Sequence, residues 1–106
     1  MRQQLSQRVS IVGWGSVSPL GSDAAATWDG VLAGRSGIRA LREAWSEDLP
    51  VRISGCVPEA ATASLEPLLL RRSDRCAQLG LLAAREAWAM ASALSLIHIS
   101  EPTRPY

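Results

Sequence analysis

The stretch Arg8-Val9-Ser10-Ile11-Val12-Gly13-Trp14-Gly15, followed by Ser18-Pro19-Leu20-Gly21-Ser22-Asp23, decides how the chain is read. The β-branched Val9, Ile11 and Val12 make a short apolar run that two glycines close, which predicts a buried strand from Arg8 to Gly15. Pro19 presets φ and Gly21 accepts positive φ, so residues 18–21 form a turn. Ser22 or Asp23 then caps a helix, and the Asp23 charge is favourable against the helix dipole. Trp28, Val31 and Leu32 share one face of that helix at i, i+3, i+4 spacing, and Gly34 stops it. Gly13-Trp14-Gly15 after a strand invites comparison with a dinucleotide fingerprint. The third glycine would fall at position 18, which is Ser, and Pro19 and Gly21 prevent a helix from starting there. Glycines that allow a tight strand-to-loop turn are the simpler reading.

Beyond Gly34 the chain is turn-rich as far as Pro50. Val51-Arg52-Ile53-Ser54-Gly55 then alternates apolar and polar residues, as a half-exposed strand would. Pro58 and Pro67 bracket a segment with room for a turn of helix. Ser73 is placed to cap the strongest element, a helix from about Asp74 to Ala93. Ala77, Leu81, Ala84, Trp88 and Ala91 form its apolar stripe, with Gln78, Arg85 and Ser92 on the opposite face. Trp28, Leu81 and Trp88 read as core residues, and Arg85-Glu86 as a solvated helix face. The order strand, helix, strand, helix predicts an α/β fold with parallel pairing. A parallel sheet needs helices over both faces, and this chain supplies too few to cover one.

Composition narrows the functions. In 106 residues the formal net charge is +1, which gives no electrostatic basis for binding nucleic acid. No apolar run approaches the roughly 20 residues of a membrane helix. Met1 to Arg8 is polar, so no secretory signal is expected and a cytoplasmic location follows. Cys56 and Cys76 lie twenty residues apart without a Cys-x-x-Cys pair, which reads as two reduced thiols acting as small packing residues. All eleven basic residues are Arg, Lys and Asn are absent, and the single His is His98. No metal-ligand spacing is present.

Taken in order, several motifs resemble the β-ketoacyl-acyl carrier protein synthases, the condensing enzymes of fatty acid and polyketide synthesis. They are Val9-Ser10-Ile11-Val12-Gly13-Trp14-Gly15, Ser18-Pro19-Leu20-Gly21, Thr27-Trp28, and Leu32-Ala33-Gly34-Arg35-Ser36-Gly37-Ile38. The series continues with Leu49-Pro50-Val51-Arg52-Ile53-Ser54-Gly55, Arg71-Arg72-Ser73-Asp74-Arg75 and Ala83-Ala84-Arg85-Glu86-Ala87. Trp14 stands where the family usually carries an aliphatic residue. The resemblance covers only the opening portion of the family's usual chain, residues 1–93 here. It implies the N-terminal part of a thiolase-like α/β/α/β/α fold, incomplete in this chain.

The resemblance also implies decarboxylative condensation with malonyl-carrier protein, through a nucleophilic Cys and two His residues. All three lie downstream of the matched region, so no catalytic residue is assigned, and Cys56 or Cys76 with His98 is not such a site. Residues matching Arg71 and Arg72 help dock the acidic carrier protein in that family, while a third basic position just upstream is Leu68 here. If Arg71 and Arg72 lie at the start of the long helix, their charge opposes the dipole, which points to an acidic partner. The intact protein is expected to be a homodimer without metal or redox cofactor. The alternatives are a non-catalytic chain-length-factor-like partner subunit or a polyketide ketosynthase.

The composition changes near Leu94. Leu94-Ser95-Leu96-Ile97-His98-Ile99-Ser100-Glu101-Pro102-Thr103-Arg104 departs from the family and resembles the translation of a sequencing adapter read through into an open frame. Residues 94–106 are therefore expected to be a non-native tail, to be excluded from fold reasoning.

Overall fold

A computed structural model describes residues 7–97, with side chains as far as Leu94. The elements are α1 (Ala24–Leu32), β1 (Ile38–Ala40), β2 (Ile53–Gly55), α2 (Pro67–Arg72) and α3 (Arg75–Ile97). Short 3-10 turns lie at Ala44–Ser46 and Glu59–Thr62. The chain is thus a small mixed helix and strand unit. The one sheet among the described residues is antiparallel, with Ile38 opposite Gly55, Arg39 opposite Ser54 and Ala40 opposite Ile53. The expected parallel pairing of residues 8–15 with 51–55 is absent among the described residues, because residues 8–15 join no sheet and Ile53–Gly55 pairs with Ile38–Ala40 instead.

Local signals behave as the side-chain chemistry dictates. Asp23 caps α1, its carboxylate accepting the Ala26 N–H at 2.8 Å. Gly34, at φ 73°, ends the helix. The Gly34 N–H donates to the Val31 carbonyl and the Arg35 N–H to the Gly30 carbonyl, closing a Schellman motif. The predicted helical turn between the two prolines is the 3-10 turn at Glu59–Thr62. The long helix is capped one residue later than expected. Asp74, not Ser73, accepts the Ala77 N–H at 2.8 Å, while Ser73 lies at the C-terminal end of α2. α3 runs on through Leu94 to Ile97.

Residues 8–15 form no helix and pair with no strand among the described residues. They form a strap laid along α3. Its two glycines do not make a turn: Gly34 has the one positive-φ backbone among the described residues. Their role is close approach. A Cβ on Gly13 would overlap the Ala87 carbonyl, and one on Gly15 would overlap the Ala83 carbonyl. Two extended residues advance about 6.7 Å and four helical residues about 6.0 Å, so these contacts repeat in step. The strap therefore runs antiparallel to α3, glycine on alanine.

Few side chains are fully enclosed. Leu65, 3% exposed, is the one buried large apolar residue among those described, beside Ser46, Thr62 and Gln78. Trp28 (60%) and Trp88 (76%), expected in the core, are exposed. So are Val9, Ile11, Val31, Leu32, Val51 and Ile53. Their spacing marks faces that want cover, and none of the described residues covers them. Gln78, placed by periodicity on the outer face, is buried instead. Its amide donates to the Leu70 and Ser73 carbonyls and ties α2 to α3.

Candidate functional site

Arg71 and Arg72 form the last turn of α2, and both are exposed. The break at Ser73 puts them at a helix C-terminus rather than the start of α3. Their charge is thus favourable to the α2 dipole, which removes the argument from unfavourable placement. No acidic side chain pairs with either among the described residues. Arg75 does not extend the patch. Its guanidinium turns inward, donating to Thr62 Oγ1 at 3.1 Å and to the Val57 and Pro58 carbonyls at 3.0 and 3.2 Å. Asp74 is committed to its cap, and Leu68 is exposed beside the pair. What remains is a two-arginine surface, accessible from solvent.

The Glu86 carboxylate is the feature that periodicity misassigned. It is half-buried and accepts backbone N–H groups from two distant segments. Ser16 N–H donates to Oε1 at 2.9 Å, and Ala24 N–H lies 3.2 Å from Oε1 and 3.1 Å from Oε2. The neighbouring Arg85 faces elsewhere, about 100° around the helix, and pairs with Glu66 through two contacts of 3.0 and 3.1 Å. That pair is the one ion pair among the described residues. The Arg85 guanidinium holds the Glu66 carboxyl below its ordinary value, and Glu66 in turn raises Arg85.

This arrangement also disposes of the phosphate reading of Gly13-Trp14-Gly15. The Ser16 amide and the first amide of α1 already face a carboxylate, which would repel an anion. The thiols make no catalytic arrangement. Cys56 and Cys76 are both free and exposed, contrary to a packing role, and Cys56 Sγ contacts Ser54 Oγ at 3.5 Å. His98 lies outside the described residues, as does the tail from that point on. No cluster of three metal-ligating side chains occurs among the described residues, and no helix there is long and apolar enough to cross a membrane.

Two open troughs flank α3. One of about 370 Å³ is lined by Leu81, Ala84 and Trp88, the other, also about 370 Å³, by Ile11, Val12, Ala87 and Trp88. A third cleft, about 350 Å³, lies between Pro19, Ser22, Arg39 and Pro58. None brings a nucleophile together with a base.

A strap on a helix, capped helices and an antiparallel hairpin define a small mixed α/β unit. Comparison with known proteins supplies the class. The sequence model of the beta-ketoacyl synthase N-terminal domain matches residues 6–96, and the chain belongs to that family. It is 34% identical over 83 residues to 3-oxoacyl-[acyl-carrier-protein] synthase 2 of Coxiella burnetii, covering 77% of this chain and 20% of that protein. With the protein of the same name from Staphylococcus aureus strain COL it shares 35% identity over 86 residues, again 77% and 20%. A Streptomyces cyaneus protein, whose name assigns it to the polyketide beta-ketoacyl synthases, is 36% identical over 84 residues, covering 78% of this chain and 20% of the relative. The chain thus spans about a fifth of the length of the curated relatives it matches.

Proposed function

We propose that this chain is the opening portion of a 3-oxoacyl-acyl carrier protein synthase with a thiolase-like fold. The whole protein would condense acyl groups with malonyl-carrier protein in fatty acid biosynthesis, in the cytoplasm and as a homodimer. The chain by itself is expected to be inactive. The observation that carries this reading is the pairing of ordered helices with uncovered apolar faces: Trp28 and Leu32 on α1, Trp88 on α3, and Ile11 on the strap. Faces of this kind on a small unit call for a further layer.

In this reading Arg71 and Arg72 dock the acidic carrier protein. Their exposure at a helix end, with no acidic side chain paired to them among the described residues, supports it. Reversing both to Glu in a protein carrying the full frame should weaken carrier affinity at least tenfold and flatten its salt dependence. Unchanged affinity would remove the role. The enzyme itself is tested by expressing the full frame and assaying condensation, with product expected from it and none from the 106-residue chain. A full-length protein that binds carrier but does not condense would favour the second reading, a chain-length-factor-like partner subunit. The likeness to the Streptomyces cyaneus protein keeps a polyketide ketosynthase beside it. Residues 94–106 are taken as a non-native tail, which resequencing of the locus by a different library method tests.

A further inference from the structure

We propose that Glu86 is the polar latch that fixes the arm of residues 8–34 on α3 at Ser16 and Ala24. Two observations carry this. The first is the concentration of polar contact in a single side chain: two backbone amides of the arm, Ser16 and Ala24, make three contacts with the Glu86 carboxylate, across 70 and 62 residues of chain. The glycine contacts at Ala83 and Ala87 set the register, and the carboxylate adds the directional bonds that they lack.

The second observation is that the arm is braced within itself. Ser18 and Gly21 exchange backbone hydrogen bonds at 2.8 and 3.2 Å. Ser18 Oγ accepts the Leu20 N–H at 3.2 Å and lies 2.7 Å from Thr27 Oγ1. Asp23 caps α1 independently, through the Ala26 amide. Opening the latch therefore leaves the turn and α1 intact, with Pro19 still against Gly37 and Gly55. Glu86 acts as a positioning residue: it orients the arm and holds two amides that would otherwise lose their acceptor.

The geometry sets a particular rescue pattern. Oε1 receives both amides, whereas Oε2 receives only Ala24. The substitution Glu86→Gln would keep one carbonyl oxygen and would place an NH₂ where Oε2 stands. It should then restore Ser16 fully and Ala24 in part, while Glu86→Ala restores neither.

Amide hydrogen exchange by NMR on the full 106-residue chain tests the latch. Compared with the native chain, Glu86→Ala should speed exchange at Ser16 and Ala24 at least roughly tenfold, while Gly21 and the β1–β2 hairpin should change less than about twofold. Glu86→Gln should return Ser16 to nearly the native rate and leave Ala24 intermediate. Native amides at 16 and 24 exchanging at the rate of an unstructured peptide would overturn the proposal. So would equal rates in native and Glu86→Ala chains, loss of hairpin protection along with the arm, or failure of Glu86→Gln to rescue Ser16.

Discussion

Residues 38–66 and the packing of the N-terminal strap on α3 are held together in opposite ways. In the first region the contacts are short in sequence. β1 pairs with β2 across residues 41–52, Leu41 N–H donates to the Arg52 carbonyl, Ser46 Oγ donates to the Glu43 carbonyl, and Thr62 Oγ1 donates to the Glu59 carbonyl. In the second, Gly13 and Gly15 touch Ala87 and Ala83, and Glu86 bonds Ser16 and Ala24. The first kind of contact forms wherever its own residues fold locally. The second needs the two ends of the unit to meet, with small residues and one acceptor correctly placed. The contrast separates local closure from a long-range interlock that tolerates no change of volume.

The sharpest way to break the contrast is to enlarge a strap glycine. Gly15→Val puts a branched side chain into the Ala83 carbonyl and should cost about 3 kcal/mol in docking of the arm. Chemical denaturation followed by amide exchange at Ser16 would measure it, and an unchanged midpoint would mean that the strap does not touch α3 in solution. A smaller loss is expected from Arg75→Met, because Arg75 is the charged bridge from α3 to the 57–62 segment. Leaving the Val57 and Pro58 carbonyls without it should cost about 2 kcal/mol. The damage should fall on the hairpin side, as seen by exchange at Ile53 to Gly55.

Capping changes come next. Asp23→Ala removes the acceptor for Ala26, and Gly34→Ala forces a side chain onto a positive-φ backbone. Each should destabilise α1 by about 1 kcal/mol, read as lost helicity in circular dichroism. The smallest effect belongs to the Arg85–Glu66 pair, which is exposed and screened. Because Arg85 lowers the Glu66 carboxyl below its ordinary 4.5, the pair's contribution is present above that pH. It fades as pH falls through the lowered folded value, since protonated Glu66 no longer holds the guanidinium. Arg85→Ala should abolish that slice of acid sensitivity, and so should high salt in the native chain.

What could be read from the sequence divides along the same line. The cap at Asp23, the stop at Gly34 and the long helix starting near residue 74 are local chemistry, and each is seen. Arg71 and Arg72 were legible as a basic pair, but not their place at the end of α2. That depends on the break at Ser73, which puts their charge at a C-terminus instead of an N-terminus. The parallel pairing expected from element order is not seen among the described residues, where the strap joins no sheet. Glu86 was illegible because helical periodicity only ranks faces by polarity; a carboxylate taken up by two backbone amides looks the same in sequence as one facing water. Trp28 and Trp88 show the related limit. Their spacing says that a face must be covered and not which residues supply the cover.

The 70-residue separation between Ser16 and Glu86 also has a meaning in time. A ribosome adding about 5–20 residues per second needs about 4–14 s to go from one to the other. Through that interval the uncharged run Val9 to Ser22 exists without its helix, with strand-forming residues and unpaired backbone groups. Only when residue 86 has been made and has left the ribosome can α3 cover this stretch.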